Sequence, residues 1–83
     1  MHLEIITPDQ EVFKGEVSKT TLPGSQGSFQ ILKDHAPMIS ALEKGKVMYV
    51  TENTEKELEV EGGVAEVLDN QVTVLIEKIV DSK

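Results

Sequence analysis

Apolar and polar residues alternate along this chain in short bursts, and the bursts are separated by turn-forming residues at close intervals. From His2 to Ile6, Leu3 and Ile5 share one face of an extended segment and His2 and Glu4 share the other, the period of two that a half-buried strand requires. Thr7-Pro8-Asp9-Gln10 reads as a turn whose backbone proline fixes. Val12 and Phe13 resume an apolar stretch, Lys14-Gly15 breaks it, and Val17 to Leu22, rich in β-favouring threonine, forms the next strand. Leu22-Pro23-Gly24-Ser25 suits a type II turn, with proline at the first central position and glycine at the second. Gly27 then releases Ser28 to Leu32 as a strand with Phe29 and Ile31 inward.

A His35-Ala36-Pro37 corner of buried character follows. Met38 to Leu42 fits either a strand or a single helical turn, and Glu43-Lys44-Gly45 closes it. Lys46 to Thr51 is a strand, and the polar run Glu52 to Glu57 links it to Leu58-Glu59-Val60-Glu61. There Leu58 and Val60 take one face and Glu57, Glu59 and Glu61 the other. Val64 to Leu68 and Gln71 to Ile76 pair across Asp69-Asn70, residues that tolerate the left-handed conformation of a tight hairpin. Many short strands with tight turns predict an all-β fold, a flattened β-sandwich over 1–76, with a short tail over 77–83 anchored only by Ile79 and Val80.

Composition narrows what such a sandwich can do. A chain of 83 residues makes one domain that hides only about 60 to 65% of its unfolded surface, which leaves no depth for a catalytic pocket. The absence of cysteine removes disulfides and zinc–thiolate sites. Fifteen acids stand against eight lysines, with no arginine and a net charge of −7, so nucleic acid is disfavoured and anionic lipid would be repelled. No run approaches the roughly 20 apolar residues of a membrane span, and Met1-His2-Leu3-Glu4 is no signal start, so the chain reads as soluble and facing the cytosol.

Chemistry-bearing constellations are scarce. His2 and His35 could join Asp34 or Glu4 on a metal, but a site needs three or four convergent donors, commonly including a close-spaced pair. No serine or threonine sits beside a base and an orienting acid, so the expectation is no catalytic, cofactor or metal site. The loop Leu22-Pro23-Gly24-Ser25-Gln26-Gly27-Ser28 lacks the Gly-Lys-Ser/Thr ending of a phosphate loop and leads into a strand. Glu57, Glu59 and Glu61 fit a solvated face of an edge strand, and Gly62-Gly63 fits a bulge or a close backbone approach.

The segment from Leu22 to Pro37, with Gly62-Gly63 and Gln71 to Leu75 downstream, closely resembles the N-terminal beta domain of the epsilon subunit of F-type ATP synthases, called delta in mitochondria. The resemblance runs from Leu3 to about Ile76 and rests on Pro23, Gly24, Gly27, Ile31-Leu32, His35-Ala36-Pro37, Leu42, Gly45, Val47, Gly62-Gly63, Glu66-Val67, Asn70 and Val72 to Leu75. It departs at Val64-Ala65, where a larger apolar pair is usual, at Ser28, where an acid is frequent, and at Lys83, where the family's C-terminal helical hairpin would follow. The resemblance implies a non-catalytic subunit of the central stalk, coupling the gamma subunit to the membrane c-ring of a proton- or sodium-translocating enzyme. It would be peripheral on the cytoplasmic face of a bacterial inner membrane, or on the equivalent face in an organelle.

By the same resemblance, the ring is contacted by Ser25, Gln26, Gly27 and Ser28 and by Lys33, Asp34, His35 and Pro37, with Asp34 as the charged contact; alternation alone does not choose the sandwich face for gamma. A tail of 77–83, even fully helical, would reach about 10 Å, so neither ATP binding nor helix-insertion inhibition is expected of it. A biotinyl- or lipoyl-type carrier domain is the rival reading, being an acidic sandwich of similar size that displays a lysine at a hairpin. Gly45-Lys46-Val47-Met48 and Lys33-Asp34 match neither of its motifs. A free-standing adaptor of the same fold is the other alternative.

Overall fold

The computed structural model describes residues 1–80 and consists of strands β1 (His2–Ile6), β2 (Glu11–Glu16), β3 (Lys19–Gly24), β4 (Gly27–Leu32), β5 (Met38–Thr51), β6 (Thr54–Leu68), β7 (Gln71–Ile76) and β8 (Ile79–Val80). One hydrogen-bonded sheet runs in the order β2-β1-β7-β6-β5-β3-β4, with β8 paired to β6. Its pairs are antiparallel except β1 with β7, which run parallel. Of the tail 77–83, residues 81–83 lie outside the described residues; Ile79 and Val80 pair with Val60 and Glu59.

Two long strands turn this sheet into a sandwich. β5 and β6 form one hairpin in register from Met38↔Val67 to Thr51↔Thr54, so the break expected at Glu43-Lys44-Gly45 is absent and the link expected over Glu52 to Glu57 is shorter. The turn is only Glu52-Asn53, with φ of 51° and 62°, a pair of left-handed residues that matches the twist of a tight hairpin. Along both strands the buried phase slips once: Leu42 and Val47 are both inward on β5, and Val60 and Ala65 on β6. Five-residue spacing cannot keep one face in a strand of period two. The slip falls at Gly62 and Gly63, with φ of 80° and 149°, conformations that glycine reaches at little cost.

Beyond that point the ribbon serves the other layer. Gly63–Leu68 pairs with β7, whereas Met48–Val50 and Glu59–Val60 pair with β3 and β8. The core between the layers is Leu3, Ile5, Leu42, Ala65, Val67, Val72, Val74 and Ile76 against Leu22, Ile31, Val47 and Val60. Thr20, fully buried, donates its hydroxyl to the Met48 carbonyl at 2.8 Å, which satisfies the polar group that burial would otherwise penalise. Phe13 of β2 and Tyr49 of β5 meet with ring centroids 4.4 Å apart and planes tilted by 41°, and close one side.

Three further expectations are corrected by pairing. Lys14-Gly15 continues β2, held opposite Glu4 and Leu3, because a ladder partner outweighs weak local propensity. Val17 and Ser18 precede β3 instead of starting it, although Val17 is buried and its N–H donates to the Met1 carbonyl at 2.8 Å. Pro23 and Gly24 belong to β3 and pair with Ser28 and Gly27, which moves the turn to Ser25-Gln26. Proline is tolerated there because β3 and β5 lose register between Thr21 and Gly24, so the donor it lacks has no ladder acceptor waiting.

Gly63 is the position at which this bend is tightest, since a Cβ there would lie 2.1 Å from the Leu75 carbonyl oxygen. Gly63→Ala should therefore cost about 3 kcal/mol or more, left-handed strain and overlap with rigid backbone adding together. Thermal unfolding would register this as a fall of more than about 10 °C for a domain of this size. An unchanged midpoint would show that the bend does not depend on glycine.

Candidate functional site

The two segments expected to form one contact surface occupy opposite ends of β4. At one end, Ser25 and Gln26 turn between the paired Gly24 and Gly27, and Ser25 N–H donates to the Ala41 carbonyl at 3.0 Å. Gly27 takes φ of 122° in open space, so a side chain there would meet strain and no neighbour. At the other end lies the Lys33–Pro37 connection, about 17 Å away at the rise of an extended strand. Ser28, Gln30 and the half-exposed Leu32 line β4 between them. β4, like β2, ends the sheet order, so among the described residues its outer backbone groups have no strand partner. The structure thus sets the two loops at the two ends of one edge strand.

The corner at His35 is more open than its sequence implies, for Ala36 and Pro37 are exposed and His35 is only half-buried. Its ring does bond to backbone: Nδ1 lies 2.8 Å from the Ala36 carbonyl, an acceptor only, so Nδ1 carries the hydrogen. Asp34, at φ of 65°, is gripped from elsewhere in the chain. Its backbone N–H donates to Asn70 Oδ1 at 2.7 Å, and Asn70 Nδ2 donates back to Asp34 Oδ1 at 2.9 Å. Sequence reasoning missed this partnership, whose only sequence signal is two Asx residues with left-handed tolerance.

The outer faces of the two layers differ in kind, which alternation could not reveal. On the layer of β1, β7 and the outer halves of β5 and β6, register places Ala41, Val64, Leu75 and Ile6 side by side across four strands. The adjacent row reads Ile39, Glu66, Thr73 and Glu4. Ile39 is 72% exposed, Leu75 50% and Val64 41%, and clustering of this sort marks a docking face more than scattered single residues would. A shallow concavity lined by Ile6, Pro8, Val64 and Leu75 borders it.

The other layer turns a charged face outward. Lys46 Nζ approaches Glu57 Oε1 at 3.5 Å with both side chains exposed, a pair of small energetic weight. Glu57 is solvated as expected, but Glu59 and Glu61 are half-buried, with β8 paired beside Glu59. Lys46 sits within β5 opposite Glu59, and the hairpin turns Ser25-Gln26, Glu52-Asn53 and Asp69-Asn70 carry no lysine. That arrangement lacks the displayed lysine of a carrier domain. Among the described residues, no group of three or more His, Asp or Glu side chains converges as a metal site requires.

Titration behaviour is perturbed at two residues away from the β4 edge. The Met1 amino group, 3.2 Å from Glu16 Oε1, together with His2 lowers the Glu16 carboxyl below its usual range, and burial raises the Tyr49 hydroxyl. Both residues belong to the β2–β5 side of the sandwich, away from β4. The exposed apolar face, to which Ile39 of the adjacent row belongs, makes a different, testable demand on stability. Ile39→Ser should change stability by no more than about 0.5 kcal/mol, whereas Ile5→Ala in the core should cost about 2–5 kcal/mol. A comparable loss from both, measured by chemical denaturation, would mean that Ile39 serves the fold and not a partner.

Comparison with known proteins shows what the whole chain is similar to. A family model described as the beta-sandwich domain of the ATP synthase delta/epsilon chain matches residues 1–82. The chain is 41% identical to the ATP synthase epsilon chain of Chlorobium limicola over 78 residues, 93% of this chain and 89% of that protein. It is 44% identical to the epsilon chain of Nitratidesulfovibrio vulgaris strain DP4 over 77 residues, 93% of this chain but 58% of that protein. The epsilon chain of Caulobacter vibrioides is 35% identical over 82 residues, 99% of this chain and 95% of the relative. Among solved structures, the fold is similar to chains in two cryo-EM assemblies. The central stalk and c-ring of the Tetrahymena thermophila mitochondrial ATP synthase gives a TM-score of 0.82 at 18% identity, covering 96% of this chain and 65% of that one. The Euglena gracilis mitochondrial ATP synthase gives 0.86 at 23% identity, covering 94% and 51%.

Proposed function

We propose that this chain, which belongs to the ATP synthase delta/epsilon chain family, is the rotor subunit that ties the gamma subunit to the membrane c-ring and transmits torque between them without chemistry of its own. The observation that carries this reading is the pair of separate unsatisfied surfaces on one small body: the apolar row Ala41-Val64-Leu75-Ile6 and the edge of β4, unpaired among the described residues. We assign gamma to the apolar row and the ring to the β4 edge with its terminal loops, Ser25 to Ser28 and Lys33 to Pro37. The enzyme would translocate protons or sodium ions, with this subunit peripheral on the cytoplasmic face of a bacterial inner membrane and held there by its partners, not by lipid.

The apolar row suits a gamma docking site because it can be closed by another apolar surface. Glu66 stands beside it between Ile39 and Thr73, so a partner covering the face has to offer a donor to that carboxylate; leaving it buried and unpaired would cost several kcal/mol, on the order of 2–7 for a polar group. A working interface should bury about 1,200 Å² or more in total. Ile39→Lys combined with Leu75→Glu should weaken binding to the cognate gamma subunit by more than about tenfold, or 1.4 kcal/mol, in calorimetry. Undiminished affinity would assign gamma to another face.

The ring assignment is tested at Gly27, where strain and contact can be separated. Gly27→Ala and Gly27→Leu suffer the same left-handed φ, and the Cβ of either meets nothing within 4 Å in the chain. Neither is β-branched, so both should lower stability to a similar degree, by about 1–3 kcal/mol. Leucine reaches further toward a neighbouring subunit, so it should reduce ATP-driven ion pumping by the assembled enzyme further than alanine does. Equal pumping by the two variants would remove this turn from the ring contact.

A further inference from the structure

The reciprocal hydrogen bonds between Asp34 and Asn70 join the Lys33–Pro37 connection to the turn of the β6–β7 hairpin. We infer that Asn70 is a positioning residue: it fixes the Lys33–Pro37 loop as a rigid extension of β6 and β7, so that load on the loop passes directly into the strands that carry Val64 and Leu75. This inference rests on the assignment of that loop to the ring. It also reassigns Asp34, whose Oδ1 is engaged within the chain, from a free charged contact to one half of a clamp.

Several observations converge on Asn70. Its side chain supplies both an acceptor and a donor to one residue, which only an amide can do in this geometry. The two partners lie 36 residues apart in sequence, so the link adds a connection that neither turn has by itself. Asn70 is itself held: its backbone carbonyl accepts from His2 N–H at 2.9 Å, tying the turn to β1. The turn continues into the docking face within a few residues, because Leu68 and Gln71 are paired neighbours and Val64 faces Leu75. Without the clamp, the loop would hang between the ends of β4 and β5, held near its start by the 3.2 Å bond from His35 N–H to the Leu32 carbonyl. An exposed loop tethered so lightly would flex under load instead of transmitting it.

Substitutions can break the clamp while sparing the turn. Asn70→Gly keeps the left-handed φ of 61° accessible and removes both side-chain bonds. Asn70→Asp keeps an acceptor for the Asp34 N–H but sets two carboxylates against each other, and adding Asp34→Asn supplies the missing N–H in the reverse direction. Amide hydrogen exchange on the full chain reads the positioning, and ATP-driven ion pumping by the assembled enzyme reads its use. We expect Asn70→Gly, which removes the acceptor, to accelerate exchange at the Asp34 amide by about tenfold or more, and Asn70→Asp, which keeps an acceptor but repels the Asp34 carboxylate, to accelerate it less. Both should lower pumping at retained ATP hydrolysis, and the Asn70→Asp/Asp34→Asn pair should recover both readouts.

Unchanged exchange in both single variants would overturn the clamp whatever pumping does. Faster exchange with full pumping would overturn its role in transmission, and a second substitution then identifies the cause. If Lys33→Glu lowers pumping, the loop is a ring contact that does not need the clamp; if it too leaves pumping intact, the ring assignment of this loop fails as well.

Discussion

The architecture depends on one contact, the approach of the Gly63 Cα to the Leu75 carbonyl. There the β5–β6 hairpin changes which of its faces points inward, and the same ribbon that pairs with β7 goes on to pair with β3 and β8. Any residue with a Cβ would push β6 away from β7, separating Val64 from Leu75 on the outside and Ala65 from Val74 within. Gly62, beside it, receives the Glu77 N–H on its carbonyl at 3.2 Å, so the end of β7 is fastened at the same bend. The two layers are consequently not separate sheets held by side-chain packing alone. They are joined through covalent strands, which resist relative sliding in a way that an ordinary sandwich interface does not.

That continuity makes mechanical sense of the two outer surfaces. A coupling body need not be large or especially stable, but it must not shear between the points where its partners hold it. The apolar row lies on one layer, whereas the β4 edge terminates the other, so force applied across them has to cross the sandwich. It crosses through β5 and β6, and a second connection runs through Asp34 and Asn70 at the far end of β4. The tilted ring contact of Phe13 with Tyr49 joins β2 to β5 on the remaining side. A small core thus gains stiffness from topology where it lacks volume.

Sequence revealed those parts of the fold that local chemistry decides. His2–Ile6 and the Asp69-Asn70 hairpin follow from strict alternation and from residues suited to positive φ, and the pattern around Gly24, Gly27, His35-Ala36-Pro37 and Gly62-Gly63 carried the family resemblance. What escaped was decided by pairing. Lys14-Gly15, Pro23-Gly24 and Glu43-Lys44-Gly45 each look like interruptions, yet neighbouring strands hold all three in extended form. Glu52-Asn53 was hidden because glutamate is a rare occupant of a left-handed turn position, so the polar run appeared to be a longer link. The exposed apolar face was illegible for a different reason: Val64 and Ala65, or Val74 and Leu75, are apolar on both phases, and only the slip at the glycines decides which of each pair is inside.

The acidic composition acquires a meaning from this arrangement that it lacked as a bare count. A monomer exposing Ile39, Val64 and Leu75 on one face and an open strand on another carries two invitations to self-association. Glu4 and Glu66 lie beside the apolar row, and the net charge of −7 acts over the whole surface. Like charges oppose the meeting of two identical faces, while a partner that supplies cations or donors opposite Glu66 feels no such penalty. The carboxylates that at first look like mere solubility are therefore also a means of choosing the partner, and they act at the one face where an apolar surface alone could not discriminate.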